Sequence, residues 1–251
     1  MVPTRKNTLH VLPLSHPCMT ARAALDLKGL EYEVVTLKTG PHIEQLEAIY
    51  GPGRTTVPGL VLDDEPIHGS TAILERLEQL VPEGPLYPEA IAAGVREAEL
   101  WGDREFQDLG RRLPWGALRF RPEWSGTYSG GDVLDPAGTD YAMKYLHVAW
   151  KHAGLTAAGL AEDLEGLPEK VARIEAFARD GLIDGENPTA ADLQIGSTAR
   201  VLLTVGDLEE LFAGTAAERI ARRFFPEYPG HVPAGALPAG WAVTELSAEA
   251  G

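Results

Sequence analysis

The stretch "VLPLSHPCMTARAALDLKG" (residues 11–29) joins the end of an apolar segment to the beginning of an amphipathic one. Residues 9–13 have the composition of a buried strand, and residues 16–28 place apolar side chains at the i, i+3 and i+4 positions of a helix. Between the two patterns lies Ser15, and Cys18, the only cysteine in the chain, follows three residues later. The sequence therefore predicts a strand and then a helix whose beginning carries a hydroxyl and a thiol.

The segments that follow continue this alternation up to about residue 82. Residues 32–37 have a second strand pattern, and residues 42–50 have the pattern of a short helix. "GLVLDDEPIHG" (59–69) indicates a hairpin that turns at Asp63-Asp64-Glu65, and Ser70 begins a helix with one apolar stripe. The predicted order is β-α-β-α-β-β-α, an α/β domain over residues 7–82.

A proline-punctuated linker, "VPEGPLYPE" (81–89), separates this domain from a region in which strand patterns nearly vanish. Residues 89–225 are predicted to form an all-helical bundle, interrupted by a long irregular insertion at 113–138. Residues 226–251 are predicted to be an irregular, proline-rich tail. The individual helices are expected at about 89–112, 139–154, 168–180, 189–203 and 207–224.

Composition excludes several classes of function. Of the 251 residues, 44% are apolar and 24% charged, as in an ordinary soluble globular protein. The formal net charge of -15 would repel a phosphate backbone, so nucleic acid is not expected as a partner. One cysteine cannot form an intramolecular disulfide or a multi-cysteine zinc site, and no metal site is predicted. No apolar run reaches the roughly 18 residues of a membrane span, so no membrane is expected as a partner and the cytoplasm is the expected location.

Three separated motifs carry a resemblance to a known family: "SHPCMTAR" (15–22), "TVPGLVLDDEPIHGSTAI" (56–73) and "NPTAADLQIG" (187–196). In this order and at this spacing, the chain resembles the cytosolic glutathione S-transferases. The resemblance implies a thioredoxin-like N-terminal domain and a helical-bundle C-terminal domain. One position departs from the pattern, because Gly69 stands where family members usually have Glu or Gln. That change removes a side-chain contact to the γ-glutamyl end of glutathione.

The resemblance implies that Ser15 is the catalytic serine, which activates the thiol of bound glutathione. The physical reason is that a helix N-terminus stabilises a thiolate and a hydroxyl can donate a charge-assisted hydrogen bond to it. A pKa lower by ~2 units corresponds to roughly 2.7 kcal/mol in favour of the thiolate. The alternative for Ser15 is a plain turn or N-cap residue. Ser-His-Pro-Cys also has the spacing of a thioredoxin Cys-x-x-Cys motif, but we expect Cys18 to be a small buried side chain.

The resemblance also implies the residues that hold the rest of glutathione. The Val57-Pro58 peptide bond is expected to be cis, with the backbone of Val57 paired to the cysteinyl part of the tripeptide. Gly69 and Ser70 begin a helix whose first turn suits a carboxylate, although Ser70 can equally be a plain N-cap. Arg54 or His42 is expected to meet the glycine carboxylate.

The electrophile is expected to bind between the two domains, against the long helix at 89–112 and the residues just after it. The candidates are Trp101, Glu105, Asp108, Arg111 and Trp115, for which the alternative is a place in the core. Thr189 and Asp192 have the spacing of a capping box, which predicts a structural role without catalysis.

The function implied is that of a glutathione transferase, with glutathione as cosubstrate, a small hydrophobic electrophile and no permanently bound cofactor. A homodimer is expected, because the helix at Ser70 and the helix after the linker carry more apolar positions than one stripe requires. One alternative is a glutathione-dependent thiol-disulfide or peroxidase activity through Cys18. The other is a catalytically silent binding or regulatory module, which Gly69 favours.

Overall fold

The computed structural model of the chain describes residues 7–238. Its N-terminal part is a four-stranded mixed sheet with the strand order β2-β1-β3-β4. Strand β1 runs parallel to β2 and antiparallel to β3, so that Leu9 lies opposite Val34 on one side and Leu60 on the other. The strands are β1 (Asn7–Val11), β2 (Tyr32–Thr36), β3 (Gly59–Leu62) and β4 (Glu65–His68).

Three helices connect and cover this sheet, namely α1 (His16–Leu27), α2 (His42–Tyr50) and α3 (Ser70–Leu80). Strands β3 and β4 are joined by the two-residue turn Asp63-Asp64, in which φ is 49° and 71°. Two consecutive left-handed residues are what the twist of a tight hairpin requires, and Asp tolerates that conformation better than most side chains. The predicted order β-α-β-α-β-β-α is confirmed.

From Ala92 to Phe224 the described chain is mainly helical, as predicted. A five-residue π-helical segment, Gly102–Phe106, follows the first of these helices, and short 3₁₀ turns lie at Pro122–Trp124 and Gly206–Leu208. The helices are α4 (Ala92–Trp101), α5 (Leu109–Phe120), α6 (Ser125–Tyr128), α7 (Pro136–His152), α8 (Ala157–Arg179), α9 (Ala190–Leu202), α10 (Glu209–Phe212) and α11 (Ala216–Phe224).

The prediction of an irregular insertion at 113–138 was wrong for most of that segment. Helix α5 continues to Phe120 through Pro114 and Gly116. A Cβ atom at Gly116 would come within 2.3 Å of Leu160 on α8, so this glycine permits close packing of two helices and does not end one. Packing between helices outweighs the local preference of Gly and Pro at these positions.

The predicted beginning of α8 at residue 168 was also wrong. The helix begins eleven residues earlier, after Thr156, whose side chain accepts a hydrogen bond from the Gly159 N–H at 3.0 Å. Pro168 lies inside the helix. Leu164 and Leu167 before the proline and Val171 after it are all buried, and this continuous apolar stripe holds the two halves in one helix.

Helix α9 lies at the centre of the helical region, and all its residues except Arg200 are buried. Its beginning has a capping box, in which the Thr189 side chain accepts from the Asp192 N–H and the Asp192 carboxylate accepts from the Thr189 N–H. The second carboxylate oxygen of Asp192 accepts from the Asp184 N–H at 2.7 Å. The backbone donors at this buried helix end therefore have partners, as burial requires.

Two polar contacts fasten the N-terminal domain to the helices and to the linker. The Thr20 hydroxyl on α1 donates to Ser197 Oγ on α9 at 2.8 Å, and both residues are fully buried. The ammonium group of Lys28, whose side chain is 1% exposed, donates to Glu78 Oε2 at 2.7 Å and to the carbonyl of Val81 at 2.7 Å. The orientation of α1 is thereby fixed on two sides.

The described part of the tail, residues 226–238, contains no helix, as predicted for this proline-rich segment. It is nevertheless attached to the bundle. The Val232 N–H donates to the Thr204 carbonyl at 2.7 Å, and the Gly206 N–H donates to the Val232 carbonyl at 2.8 Å. The Asp207 carboxylate accepts from the N–H groups of residues 235, 236 and 237. The predicted tail residues 239–251 lie outside the described residues.

Glu99 on α4 is a buried carboxyl group that is only half satisfied. It is 1% exposed, and the Tyr87 hydroxyl donates to its Oε2 at 2.7 Å. Its Oε1 has no hydrogen-bond partner among residues 7–238. Burial raises the pKa of Glu99 to about 7, against the opposing effects of the Tyr87 hydrogen bond and of Arg96.

We expect Glu99→Gln to stabilise the protein increasingly as the pH rises. The folded-state pKa of about 7 lies above the ordinary value of 4.5, so folding takes up a proton between these values and the parent loses stability as the pH rises through that window. The variant lacks this loss, which amounts to at most about 3 kcal/mol. Urea unfolding of both proteins at pH 5 and pH 8 measures it.

Glu97→Gln is the matched control, because Glu97 lies on the same helix with its side chain 69% exposed beside Arg173. Its effect on the free energy of unfolding should be small at both pH values. A Glu99→Gln effect that is the same at pH 5 and pH 8 would contradict the assignment of a raised pKa.

Candidate active site

Ser15 lies at the N-terminus of α1, in the short connection between strand β1 and this helix. It is the N-cap residue, with φ −78° and ψ 110°, yet its side chain makes no capping hydrogen bond to the helix backbone. Pro17 occupies the first turn, where a missing N–H removes no helical bond, and no acidic residue lies in that turn. The hydroxyl therefore lies at the positive end of the helix with no carboxylate of the first turn beside it.

Cys18 lies directly behind this hydroxyl. It is 3% exposed, and its burial raises the pKa of the thiol, while a side-chain hydrogen bond with Ser15 and the charge of Arg22 act in the opposite direction. A hydrogen bond that lowers a thiol pKa is one that the hydroxyl donates to the sulfur, so Ser15 has to turn its hydrogen away from Cys18 in order to donate to a sulfur outside the helix. A buried thiol with a raised pKa is a poor nucleophile.

The structure brings the second motif together at one point of the sheet. The Val57-Pro58 peptide bond is cis, and the Pro58 carbonyl accepts a hydrogen bond from the Gly69 N–H at 2.9 Å. Gly69 is the N-cap residue of α3, and Ser70, which is buried, begins the helix. The helix N-terminus proposed for a carboxylate therefore lies beside Val57-Pro58.

Gly69 has φ 94° and ψ 148°, a conformation that is essentially restricted to glycine. A Cβ atom there would meet nothing within 4 Å. The glycine is therefore favoured by the backbone conformation and not by lack of space. A side chain at this position would be sterically accommodated but would strain the turn.

The two candidates for the glycine carboxylate have different surroundings. Arg54 is exposed in the loop between α2 and β3, and its charge contributes to the lowered pKa of His68, after the larger effect of burial. His68 immediately precedes Gly69, so Arg54 lies near the beginning of α3. His42 begins α2, where its Nδ1 accepts from the Gly40 N–H at 3.0 Å.

The electrophile candidates divide into two groups. Trp101 stacks on Phe106 with ring centroids 5.6 Å apart and meets Phe177 edge-on, so its contacts are with the helical core. Glu105 points towards Lys170, with 4.0 Å between the charged atoms. Trp115 is half-buried, and its carbonyl accepts from the indole of Trp150.

Asp108 and Arg111 form the second group, and these two residues lie close to the beginning of α1. They pair with each other at 2.7 Å, and both act electrostatically on His16, the residue after Ser15. His16 is buried, and its Nε2 lies 3.1 Å from the Gln107 carbonyl. Burial, followed by the charge of Arg111, lowers the pKa of His16 to about 3, so the imidazole is neutral and joins the loop that carries Ser15 to the segment just before α5.

Two neighbours of Ser15 were not predicted from the sequence. His16 packs against α5 so closely that a Cβ atom at Gly110 would come within 2.8 Å of its ring. The Tyr228 hydroxyl, 214 residues along the chain, donates to the Leu14 carbonyl at 2.9 Å. No local pattern indicates a contact over such a separation.

Two kinds of site are not found within the described residues. No group of three or more His, Cys, Asp or Glu side chains in residues 7–238 is arranged to hold a metal ion. In the same part of the chain, no helix is both long enough and apolar enough to cross a membrane.

Comparison with known proteins agrees with this geometry. Residues 9–85 match the family model of the glutathione S-transferase N-terminal domain. Glutathione S-transferase 1 of Dianthus caryophyllus is 40% identical over 88 residues, which are 34% of this chain and 39% of that protein. The chain therefore matches well under half of the length of this curated relative.

Solved structures extend the likeness to nearly the whole chain, although at low identity. A glutathione S-transferase from Rhodospirillum rubrum F11 is 23% identical with a TM-score of 0.54, over 94% of this chain and 98% of that one. The β-etherase LigF from Sphingobium sp. strain SYK-6 is 21% identical with a TM-score of 0.59, over 87% and 100%. Residues 9–85 therefore match the glutathione S-transferase N-terminal domain, and the described part of the chain has the glutathione S-transferase fold.

Proposed function

We propose that the protein is a glutathione transferase that activates the glutathione thiol as a thiolate beside Ser15. The observation that carries the proposal is the place of Ser15 at the N-cap of α1, with a side chain that makes no capping bond. A sulfur bound there lies at the positive end of the α1 dipole, next to a hydroxyl able to donate. Both interactions favour the thiolate over the thiol.

The remaining parts of glutathione are assigned to the loop around Val57-Pro58 and to the beginning of α3. Val57 offers backbone hydrogen-bonding groups to the cysteinyl residue, and the first turn at Gly69 and Ser70 offers N–H groups to a carboxylate. Arg54 is the better candidate of the two for the glycine carboxylate, because its charge acts on His68 next to that turn.

The reaction is nucleophilic attack by the glutathione sulfur. The thiol proton passes to water, and the sulfur forms a bond to an electrophilic carbon. Either a leaving group departs from that carbon with the bonding electron pair, or the electrons of a double bond move to the neighbouring atom, which takes up a proton from water. The electrophile lies on the side of α5, where Asp108 and Arg111 approach the beginning of α1. An alternative activity through Cys18 is disfavoured, since that thiol is buried and its pKa is raised.

We expect glutathione to bind in isothermal titration and to have a lowered thiol pKa in the complex. The ultraviolet absorbance of the thiolate, followed against pH, should show a midpoint well below the value of about 8.5 for a free thiol.

In Ser15→Ala, turnover of an aromatic or unsaturated electrophile should fall about ten- to a thousand-fold, with a much smaller change in glutathione affinity. Unchanged turnover in this variant would assign the activation to another group.

We expect Cys18→Ala to keep most of the transferase activity, within about tenfold of the parent, because its thiol contacts Ser15 but is not the nucleophile. Steady-state turnover at saturating glutathione measures the effect. Complete loss of activity in Cys18→Ala, together with full activity in Ser15→Ala, would support the thiol-disulfide or peroxidase alternative.

We further infer that the protein is a homodimer. The surplus apolar positions predicted for α3 are buried within the chain, since Ile73, Leu74 and Leu77 are fully buried. Support comes instead from α7, where Tyr141, Tyr145 and Val148 are 76%, 52% and 64% exposed along one face. A closed twofold assembly is the commonest way to cover exposed apolar surface.

Light scattering coupled to gel filtration at micromolar concentration should give about twice the 27.0 kDa mass of the chain. A single species at the mass of one chain would refute the dimer and leave the α7 face exposed to solvent.

A further inference from the structure

The residue before Ser15 has an unusual backbone conformation. Leu14 has φ 59°, in the left-handed region that a side chain like leucine rarely adopts. Such a conformation persists only where surrounding contacts hold it. The Leu14 side chain is half-buried against the core, and its carbonyl accepts the hydrogen bond from Tyr228.

Tyr228 belongs to the described part of the proline-rich tail, residues 226–238, which we call the strap. Its hydroxyl donates to the Leu14 carbonyl at 2.9 Å and lies 3.5 Å from the hydroxyl of Tyr128 on α6. The Arg200 guanidinium lies 5.8 Å from the centre of the Tyr228 ring, and Arg200 Nε donates to the Phe225 carbonyl at 2.8 Å. The phenol is therefore held by contacts on its ring and on its oxygen.

The strap is braced after Tyr228 as well as before it. The Thr127 hydroxyl donates to the His231 carbonyl at 2.8 Å, and Val232 exchanges backbone hydrogen bonds with Thr204 and Gly206. Further along, the Asp207 carboxylate accepts hydrogen bonds from the N–H groups of residues 235, 236 and 237. A segment with anchors on both sides can hold a distant loop, which a freely moving tail cannot.

We propose that Tyr228 is a positioning residue, which acts through the Leu14 carbonyl to fix the orientation of Ser15. The Leu14 carbonyl and the Ser15 N–H belong to one planar peptide unit. A hydrogen bond that fixes the carbonyl therefore fixes the plane from which the Cα–Cβ bond of Ser15 projects. Because the proposal concerns the use of Ser15, its effect on catalysis rests on the proposed function.

The phenol is suited to this role. Burial raises the pKa of Tyr228 above its usual value, with Arg200 acting in the opposite direction, so the hydroxyl keeps its proton at neutral pH and remains a donor. The neighbouring phenol of Tyr128 is buried, and its pKa is also raised by burial. If Tyr228 donates to Leu14, then the hydrogen between the two phenols comes from Tyr128.

Tyr228→Phe tests the proposal, because it removes the hydroxyl and keeps the ring against Tyr128 and Arg200. Tyr128→Phe is the matched control, since it removes a phenol hydroxyl from the same pair but leaves the bond to Leu14. Amide hydrogen exchange of residues 14–19, measured without glutathione, reports on the loop itself. The effect on catalysis is measured by kcat, by the KM for glutathione and by the pKa of the bound thiol.

In Tyr228→Phe, we expect exchange at residues 14–19 to be about tenfold faster, without a comparable change in the sheet. We expect kcat to fall about three- to thirty-fold and the pKa of the bound thiol to rise, with glutathione KM within about twofold of the parent. Tyr128→Phe should change the exchange rates, kcat and the KM for glutathione by less than about twofold, and it should leave the pKa of the bound thiol nearly unchanged.

Unchanged exchange in Tyr228→Phe would overturn the proposal whatever the activity of the protein. Faster exchange with unchanged kcat and thiol pKa in an active enzyme would also overturn it, as would equal effects of the two variants. If neither parent nor variant binds glutathione, the proposed function fails, and faster exchange in Tyr228→Phe alone still supports the contact with the Ser15 loop.

Discussion

Helix α9 has almost no face towards solvent, and a helix in that position must satisfy its polar groups inside the protein. The capping box of Thr189 and Asp192 provides hydrogen bonds at the beginning of α9. On the face that packs against α1, Ser197 Oγ accepts a hydrogen bond from the Thr20 hydroxyl. The Thr20 hydrogen bond can form only when α1 lies in one place on α9. The position of Ser15, at the beginning of α1, therefore follows from how α9 is buried.

Ser15 and Cys18 occupy the two cysteine positions of a Cys-x-x-Cys spacing at the beginning of α1, and their surroundings differ. Cys18 is enclosed by the core, where burial disfavours a thiolate, whereas Ser15 one turn earlier is only half-buried at the positive end of the helix. A protein that brings its own reactive sulfur would expose Cys18. Under the proposed function, the sulfur that this helix N-terminus stabilises is that of bound glutathione. The neighbouring His16 is neutral, so the positive end of α1 acts at Ser15 without an imidazolium charge beside it.

Local patterns were sufficient where a single residue type determines the conformation. The α/β order, the hairpin turn and the helix begun at Ser70 each depend on a few neighbouring residues, and the sequence predicted them, although the turn was predicted at Asp63-Asp64-Glu65 and Glu65 already belongs to β4. The prediction failed where packing reverses a local preference, as in the segment 113–138, which was predicted to be irregular but begins inside α5, where Gly116 lies against Leu160. Tyr228 was missed for a different reason: its contact with Leu14 crosses almost the whole chain, and nothing near either residue indicates it.

That contact also has a consequence for the order in which the protein is made. Synthesis proceeds from the N-terminus, and the N-terminal domain can begin to fold as soon as it leaves the ribosome. The hydrogen-bond donor to the Leu14 carbonyl, however, lies 214 residues further along the chain and is synthesised much later. A nascent chain that has completed its sheet and its first helices still lacks this support for the loop that carries Ser15. The loop gains it only after residue 228 has been translated, so a chain that ends before this residue would not yet hold the loop in its final form.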